Sequence, residues 1–450
     1  MKNALWILLL VSSSSMASTI AVVDSGVDNQ HKDLLAKIWM NENEIADNGR
    51  DEDGNGYQDD IYGWNFAESN NRVIERKYIG TFSNDPYKFF DIQGKNFLGQ
   101  ATQEELDWIK AKFQDDAFRK EMGIFGNFVH GTHVAGITAN GNDEAKVLAV
   151  KLIPTEVKPF LEGLKSTQFN KADDKNARMK ILKGMLKTLA GEQMKMLEEI
   201  ATYVGNHKAD VANGSFGTGF NQAKVITENA FKIVFFRKPT DEESYEVTKY
   251  FMDSLIEAGQ TMVAASPNTL WVFAAGNDGS NNDEFPTSPT NIIADNVISV
   301  AATYKYEFIA PFSNYGTKNV DVAAPGMLIH STIPGDEYLK VSGTSQAAPY
   351  VANVAAVIKD QNNKLTPKEI KQIILGTVDE KGYLSTKVKT SGIVNLNRAA
   401  HAAKLSITMD LGTAISQANV SVSDVQTSKT KSMVNPFAIV PIPLINQFTL

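Results

Sequence analysis

A series of short apolar runs, each ending on a small or polar residue, constrains the fold of this chain more than any other feature. Residues 19–24, Thr-Ile-Ala-Val-Val-Asp, form the first run, and Ser25-Gly26 then turn the chain. A run of this kind favours a strand buried on both faces, as in a parallel sheet. Such strands, with helical segments between them, predict an α/β fold with a mainly parallel central sheet and helices on both faces. Further runs lie at residues 147–152, 211–217, 270–277, 297–302 and 320–323.

Composition narrows the classes of function. The chain has 44 Lys and Arg against 52 Asp and Glu, and this net charge of −8 argues against nucleic acid as the main partner. Apolar residues make up 43% and charged residues 21%, which is usual for a soluble globular protein. The sequence contains no cysteine, which excludes disulfides, thiolate nucleophiles and cysteine-based metal sites.

Residues 1–17 have the pattern of a secretory signal peptide. Lys2 precedes an apolar run at residues 4–11, and small residues follow up to Ala17-Ser18. The apolar run is too short to span a bilayer, so a permanent membrane anchor is the weaker interpretation. We expect cleavage near Ala17, and hence a secreted or periplasmic protein.

Ser345 is the first candidate for chemistry. It lies in residues 341–352, Val-Ser-Gly-Thr-Ser-Gln-Ala-Ala-Pro-Tyr-Val-Ala, where the apolar positions that follow it recur at helical spacing. Pro349 is expected in the first turn of that helix, where its missing N–H is tolerated. Because a helix N-terminus stabilises an anionic oxygen, Ser345 is a candidate nucleophile. The alternative is an ordinary helix-capping serine.

Three other segments supply the groups that a nucleophilic serine needs. Asp24 ends the first strand, where sites form in α/β sheets, although an Asx-turn is the alternative for Asp-Ser-Gly. His130 is expected to open a buried helix in the small and apolar segment 129–137, and Asn277 ends the fourth apolar run. Ser345 can then attack an acyl carbon while His130 accepts its proton. In such a site Asp24 orients the imidazole and Asn277 donates to the developing oxyanion.

These four segments, in this order, resemble the motifs of the subtilisin-like serine proteases. The resemblance covers roughly residues 19–400. It implies a subtilisin-like three-layer sandwich and a serine endopeptidase that acts on proteins or peptides. The matching stretches are Val23-Asp24-Ser25-Gly26, residues 130–136 (His-Gly-Thr-His-Val-Ala-Gly), Ala274-Ala275-Gly276-Asn277 and residues 343–349 (Gly-Thr-Ser-Gln-Ala-Ala-Pro).

The resemblance also assigns residues around the substrate. Within the histidine motif it makes His130 the base and His133 a structural residue. It places Glu284 loosely at the floor of the S1 pocket, where an acid favours Lys or Arg at P1. Residues 215–217 and 274–276 form the two walls of that pocket, and residues 215–217 also pair with the substrate backbone. The wall residues are Ser215, Phe216, Gly217, Ala274, Ala275 and Gly276.

Two residues beside the nucleophile depart from the family pattern. Gln346 replaces the usual methionine after the serine, and Tyr350 replaces the usual histidine. Both departures are expected to change the rate and the selectivity of the enzyme without abolishing its activity.

The chain is expected to be one large domain with additions. We predict a signal peptide at residues 1–17, a peptidase domain at 18–404 with insertions near 66–125, 154–195 and 221–265, and a C-terminal tail at 405–450. The composition of the tail indicates weak structure of its own. Asp24 would lie six residues after the mature N-terminus, which leaves no room for the N-terminal propeptide of many relatives. We therefore expect the enzyme to fold unaided, or the tail to restrain it.

An acidic segment at residues 51–60 resembles the start of an EF-hand calcium loop. Gly56 supplies the sharp turn, but Tyr62 stands where the loop requires a bidentate glutamate. The segment therefore indicates either a structural calcium site or a solvated acidic turn. The expected ligands are Asp51, Asp53, Asn55 and Asp59.

Three functions are compatible with these features. The leading hypothesis is a secreted, monomeric serine endopeptidase. The large insertions also allow a processing protease with a single partner. A retired protease that acts as a calcium-dependent binding module is the alternative outside catalysis, although all three triad residues are present.

Overall fold

The computed structural model describes residues 17–156 and 174–426. Within these residues the strands are β1 (Thr19–Asp24), β2 (Gly63–Asn65), β3 (Lys146–Lys151), β4 (Val211–Gly214), β5 (Leu270–Ala274), β6 (Val297–Tyr304), β7 (Phe308–Ile309), β8 (Val322–Pro325), β9 (Ile329–Ile333), β10 (Glu337–Val341), β11 (Asp379–Glu380) and β12 (Gly392–Ile393). The helices are α1 (Asp85–Phe97), α2 (Gln103–Phe113), α3 (Asp116–Thr138), α4 (Lys175–Asn206), α5 (Phe220–Phe235), α6 (Asp241–Ala265), α7 (Thr344–Gln361), α8 (Pro367–Gly376), α9 (Leu396–Leu405) and α10 (Leu411–Ser421).

The central sheet is mainly parallel, as the sequence predicts. In the described part of the chain its strand order is β11-β12-β8-β6-β5-β4-β1-β3-β2, with β7 beside β6. Every neighbouring pair from β12 to β2 is parallel, and only β7 and β11 pair antiparallel. Strands β9 and β10 form a separate antiparallel hairpin. The parallel strands therefore present their carboxyl ends at one edge of the sheet.

Strand β1 illustrates why the apolar runs form this sheet. Its residues from Ile20 to Val23 have no exposed surface, and their side chains alternate between the two faces of the sheet. Ala21 and Val23 pack on the side of α4, α5 and α6, whereas Ile20 packs on the side of α7, α8 and α9. A strand covered on both faces has no polar face, which is why its sequence does not alternate. Helices therefore cover both faces of the sheet, as expected for a three-layer sandwich.

The predicted insertions consist largely of helices. Residues 66–125 contain α1, α2 and the first part of α3, which pack their aromatic side chains against the β9–β10 hairpin. Most of the described residues of 154–195 and 221–265 lie in α4, α5 and α6, which pack on one face of the sheet. Thr102 and Thr240 form capping boxes at the starts of α2 and α6.

The prediction of weak structure for the whole tail is wrong for residues 411–421. They form helix α10, whose Ala414 and Ala418 are fully buried. Asp410 caps this helix by accepting from the amide of Thr413 at 3.0 Å. Just beyond α10, Arg398 of α9 donates to the carbonyl oxygen of Val422 at 3.0 Å. The part of the tail from residue 427 lies outside the described residues.

The predicted signal peptide also lies almost wholly outside the described residues, which begin at Ala17. Among the helices that are described, none combines the length and the apolarity needed to cross a membrane.

Candidate active site

Asp24 and His130 meet at the carboxyl edge of the sheet. His130 Nδ1 lies 2.6 Å from Asp24 Oδ1, and both side chains are buried, with 0% of Asp24 and 6% of His130 exposed. The amide of Ser25 donates to the same Asp24 oxygen at 2.7 Å; this bond comes from the next residue and is not the bond of an Asx-turn, which comes from the amide two residues on. Nδ1 therefore carries the proton in this bond, and Nε2 is the nitrogen left to accept one.

Helix α3 can bring His130 this close because residue 131 has no side chain. A Cβ on Gly131 would lie 2.2 Å from the carbonyl oxygen of Gly26, in the turn after β1. The amide of Gly131 instead approaches this turn and donates to Ser25 Oγ at 3.0 Å. The prediction that His130 opens a helix is wrong, because α3 begins at Asp116 and is capped by Asp115. The capping signal precedes the histidine motif, within the predicted insertion.

Ser345 is the second residue of helix α7 and is 2% exposed. It does not cap this helix, because the N-cap residue is Gly343. Its Oγ donates to the carbonyl oxygen of Ser215 at 3.2 Å. Ser215 directly follows β4, the neighbour of the strand that carries Asp24. The nucleophile candidate therefore lies at the same edge of the sheet as the Asp24–His130 pair.

Pro349 contributes to this arrangement from inside the helix. It is the sixth residue of α7, not a first-turn residue as predicted. A proline at this position cannot donate to the carbonyl oxygen of Ser345, four residues earlier. That oxygen instead accepts from Ser215 Oγ at 3.1 Å. Two reciprocal hydrogen bonds thus join the start of α7 to the segment after β4.

Thr344 orients the amide of Asn277. Asn277 Oδ1 accepts from the Thr344 amide at 2.9 Å and from Thr344 Oγ1 at 3.0 Å. With its oxygen held in this way, Asn277 turns Nδ2 toward the start of α7, where a Cβ on Gly343 would lie 3.6 Å from it. Nδ2 is therefore an N–H donor beside the nucleophile candidate. Sequence reasoning did not identify Thr344, because a hydroxyl that orients an amide has no signature of its own.

Replacing Thr344 by Val should lower kcat about tenfold. Valine keeps the shape but removes the hydroxyl that donates to Asn277, and one lost hydrogen bond of about 1.4 kcal/mol corresponds to a factor of ten in rate. Steady-state kinetics on a peptide substrate measure this effect. Thr344→Ser, which keeps the hydroxyl, is the matched control and should stay within about threefold. Equal losses in both variants would contradict the orienting role.

A small cleft of about 40 Å³ opens beside Ser345, and most of the predicted S1 residues line it. Ser215, Phe216 and Gly217 form one side, and Ala274 and Gly276 lie on the other. The lining described for this cleft includes neither of two predicted residues, Ala275 and Glu284.

Both exceptions have a physical reason. Ala275 is fully buried behind the wall, where its amide donates to the carbonyl oxygen of Val300. Glu284 is exposed in the turn that follows Asn281. The acid that does line the cleft is Asp278, directly after Asn277. Burial raises the pKa of Asp278, although hydrogen bonds from Asn221 and Asn314 oppose this shift.

The family model described as "Subtilase family" matches residues 16–399 of this chain. The chain belongs to the subtilase family. Its relatives include subtilisin-like protease 1 of Plasmodium falciparum (isolate 3D7), which is 26% identical over 399 residues. That match covers 86% of this chain and 44% of the relative, so the subtilase described here spans less than half of the length of that protein.

Two further comparisons concern a relative and a solved structure. Subtilisin BL of Lederbergia lenta is 29% identical over 270 residues, which cover 60% of this chain and 77% of the relative. The crystal structure of a lanthipeptide protease aligns with a TM-score of 0.46 and 19% identity, over 87% of this chain and 88% of that one.

The second histidine of the motif has a structural environment in this subtilase. His133 is fully buried, and its Nε2 lies 3.1 Å from the carbonyl oxygens of both Ile329 and Leu339. Burial lowers the pKa of His133 to about 3. His133 is therefore neutral at physiological pH and links α3 to the β9–β10 hairpin.

The two departures from the family pattern lie in different environments. Gln346 is buried next to Ser345, and its Nε2 has no hydrogen-bond partner in the described part of the chain. Tyr350 is partly buried on the first turns of α7 and lines a separate cavity of about 590 Å³ that extends toward the end of α3.

The acidic loop gathers a different set of carboxylates from the predicted one. Oxygens of Glu44, Asp51 and Asp53 lie within 4.8 Å of one another. Asp59 is not in this group, and its carboxylate accepts from the amides of Asn48 and Gly49, each at 3.0 Å.

The oxygen of Asn55 is also occupied, since it accepts from the amide of Tyr57 at 2.8 Å. Asp60 lies near Asp53 and His207, but its carboxylate accepts from Asn41 at 2.7 Å and from Tyr203 at 2.8 Å. Burial alone would raise the pKa of Asp60, and hydrogen bonds from His207, Asn41 and Tyr203 lower it.

Proposed function

We propose that this subtilase is an exported serine endopeptidase that cleaves proteins or peptides through an acyl-enzyme on Ser345. The observation that supports this most strongly is the 2.6 Å bond between His130 Nδ1 and Asp24 Oδ1. It leaves Nε2 of His130 to act as the base, at the edge of the sheet where Ser345 lies. All three triad residues are present, so a retired protease that only binds is not favoured.

In the proposed reaction, Ser345 Oγ attacks the carbonyl carbon of the scissile bond while its proton passes to His130 Nε2. The carbonyl oxygen becomes an oxyanion that accepts from Asn277 Nδ2, and the positive end of α7 favours its charge. His130 then gives the proton to the leaving amine, and the C–N bond breaks. A water molecule, deprotonated by the same imidazole, releases the acid from Ser345.

A burst experiment tests the acyl-enzyme directly. When the enzyme is mixed with a nitrophenyl ester, we expect a rapid release of nitrophenol equal to the molar amount of enzyme, followed by slower turnover. The matched control is Ser345→Ala, which should show neither phase. A wild-type protein that is folded but releases nitrophenol linearly, without a burst, would contradict the acyl-enzyme.

For the P1 preference, Asp278→Asn should reduce kcat/KM for substrates with Lys at P1 by about 10–100-fold and leave Leu at P1 little changed. A hydrogen bond to a charged group contributes about 1.5–3 kcal/mol, and only the ionised carboxylate provides it. Because burial raises the pKa of Asp278, the Lys preference should be present above that pKa and lost as the pH falls through it. A matched pair of peptides assayed across pH measures both effects.

Glu284→Gln is the control for this prediction, since Glu284 is exposed and should not affect the Lys preference. Equal loss of Lys and Leu cleavage in Asp278→Asn would instead indicate general damage to the cleft.

For a cation, we propose Ca²⁺ held by Glu44, Asp51 and Asp53. Three carboxylates within 4.8 Å suit a hard cation with oxygen ligands better than the neighbouring group that includes His207. A bound ion here would neutralise the loop and stabilise the folded state.

Asp53→Asn should therefore abolish the increase in melting temperature that Ca²⁺ produces. At a concentration 100 times its Kd, calcium raises the free energy of unfolding by about 2.7 kcal/mol, because it binds only the folded state. Calorimetry with and without a chelator measures the shift. Asp59→Asn is the control and should retain it, because Asp59 is not one of the three carboxylates that lie within 4.8 Å of one another. If calcium does not raise the melting temperature of the wild-type protein, the proposed calcium site is ruled out.

A further inference from the structure

The amide nitrogen of Ser18 lies against a carboxylate at the start of β1. It donates to Asp360 Oδ1 at 3.0 Å, and the next amide, that of Thr19, donates to Asp210 Oδ2 at 3.1 Å. Ser18 is 1% exposed, and its carbonyl oxygen accepts from the amide of Lys146 at 2.9 Å. The position of the Ser18 nitrogen is therefore fixed from both sides.

The surroundings of this nitrogen carry an excess of negative charge. Asp360 lies in the last turn of α7, where the free carbonyl groups of the helix already carry partial negative charge. Lys359 is the nearby cation, with its Nζ 3.6 Å from Asp210 Oδ1. Burial raises the pKa of Asp210, and the charge of Asp360 adds to that shift although Lys359 opposes it.

The remaining polar neighbours do not supply a second positive charge. Asn142 is neutral and donates to Asp360 Oδ2 at 2.7 Å. Lys146, on the adjacent strand, directs its Nζ to the carbonyl oxygen of Ala36. Lys37 directs its Nζ to the carbonyl oxygens of Ala139 and Asn142. Of the described lysines, only Lys359 forms an ion pair with either carboxylate. A free α-ammonium at Ser18 would add a positive charge and two more N–H donors at the place where an amide now offers one.

We propose that Ser18 is the N-terminal residue of the functional protein and that its α-ammonium binds Asp360. This rests on the proposed export, in which a signal peptidase uses water to hydrolyse the Ala17–Ser18 bond. The carboxylate leaves with residue 17, and the new amine takes up a proton. The resulting ion pair ties β1, which carries Asp24, to α7, which carries Ser345. Removal of the leader thus strengthens the contact between the two elements that hold the catalytic carboxylate and the nucleophile.

The ion pair gives the stability of the protein a specific pH dependence. A free α-amino group has a pKa of about 8; the charge of Asp360 raises this pKa, and the burial of Ser18 opposes the rise. The stabilisation is therefore complete below about pH 8 and is lost as the pH rises through the pKa of the folded state. A chain that is extended before Ser18 has an uncharged amide at this place and lacks this dependence.

Two forms of the chain test the inference, one beginning at Ser18 and one retaining Ala17, both released from a cleavable fusion and both carrying Ser345→Ala to prevent self-digestion. At pH 7 we expect the Ser18 form to melt about 2–4 °C higher. The difference should disappear at pH 10, and also when both forms carry Asp360→Asn. The exported protein should begin at Ser18 on N-terminal sequencing.

Equal melting temperatures at pH 7, or an equal effect of Asp360→Asn in both forms, would overturn the ion pair. A first residue other than Ser18 in the exported protein would also overturn it. Peptidase activity is measured separately with Ser345 intact, so a failure of the proposed catalytic function is distinguished from a failure of this inference.

Discussion

Ser345→Ala should reduce kcat/KM for a peptide substrate by about 10⁶-fold, and His130→Ala should cost nearly as much. The size is that known for the corresponding changes in subtilisin itself. The nucleophile and the base act in one step, so removing either leaves the other without a role. The double variant should therefore be no slower than Ser345→Ala. Initial rates on a fluorogenic peptide, at high enzyme concentration for the variants, measure all three.

The controls for these variants are an exposed serine and an exposed histidine. Ser385→Ala and His330→Ala change the same residue types away from the triad and should retain nearly full activity. The melting temperatures of all variants should remain close to that of the wild-type protein. The proposal that Ser345 and His130 act together in one step would be contradicted if either single variant retained more than about 1% of the activity. It would also be contradicted if the losses of the two single variants multiplied in the double variant.

Asn277→Ala should lower kcat by about 10²–10³-fold and leave KM nearly unchanged. This loss is also the one known for the oxyanion asparagine of subtilisin itself. Nδ2 is expected to donate to charge that exists only in the transition state, so its removal should not weaken binding of the ground state. Separate measurement of kcat and KM on one peptide tests this prediction.

Thr344 provides a second test of the same donor. Because Thr344 acts through Asn277, Thr344→Val should cost little more once Asn277 is alanine. A KM that rises while kcat stays constant would mean that Asn277 binds the ground state. Additive losses from Thr344→Val and Asn277→Ala would show that Thr344 does not act through this amide.

The sheet could be predicted because its information is local. A strand such as Ile20–Val23, covered on both faces, must be apolar at every position, and the residue that ends it must lie at the carboxyl edge. The position of Asp24 as the last residue of its strand was therefore predicted correctly. The strand expected to end at Asn277 ends earlier, at Ala274, and Asn277 lies in the loop that follows it. No strand pattern identifies His130 and Ser345, and these two residues were predicted from the histidine and serine motifs.

The acid that lines the cleft beside Ser345 shows what could not be predicted from the sequence alone. Glu284 and Asp278 lie only six positions apart, and both are carboxylates in a loop after β5. Which of them lines the cleft depends on the course of the turn at Asn281, which no local pattern determines.

The start of α3 and the carboxylates that come together in the acidic loop could not be predicted from the motifs, and the reason is the same for both. The helix that carries His130 extends back to Asp116 through residues that the family resemblance assigned to an insertion. The loop at 51–60 gathers Glu44 from outside the motif, whereas Asp59 binds the 48–49 turn. In both cases residues outside the motif decide the outcome, because Asp115 caps the start of α3 and Glu44 completes the group of carboxylates.

Labelling with a fluorophosphonate probe tests the proposed catalytic unit most directly. The probe reacts only with a serine that a base has activated, so digestion and mass spectrometry should find it on the peptide that contains Ser345. We expect stoichiometric labelling of the wild-type protein and none after His130→Ala, with His330→Ala labelled as fully as the wild type. Label on another serine, or equal labelling after His130→Ala, would contradict a nucleophile at Ser345 that depends on His130.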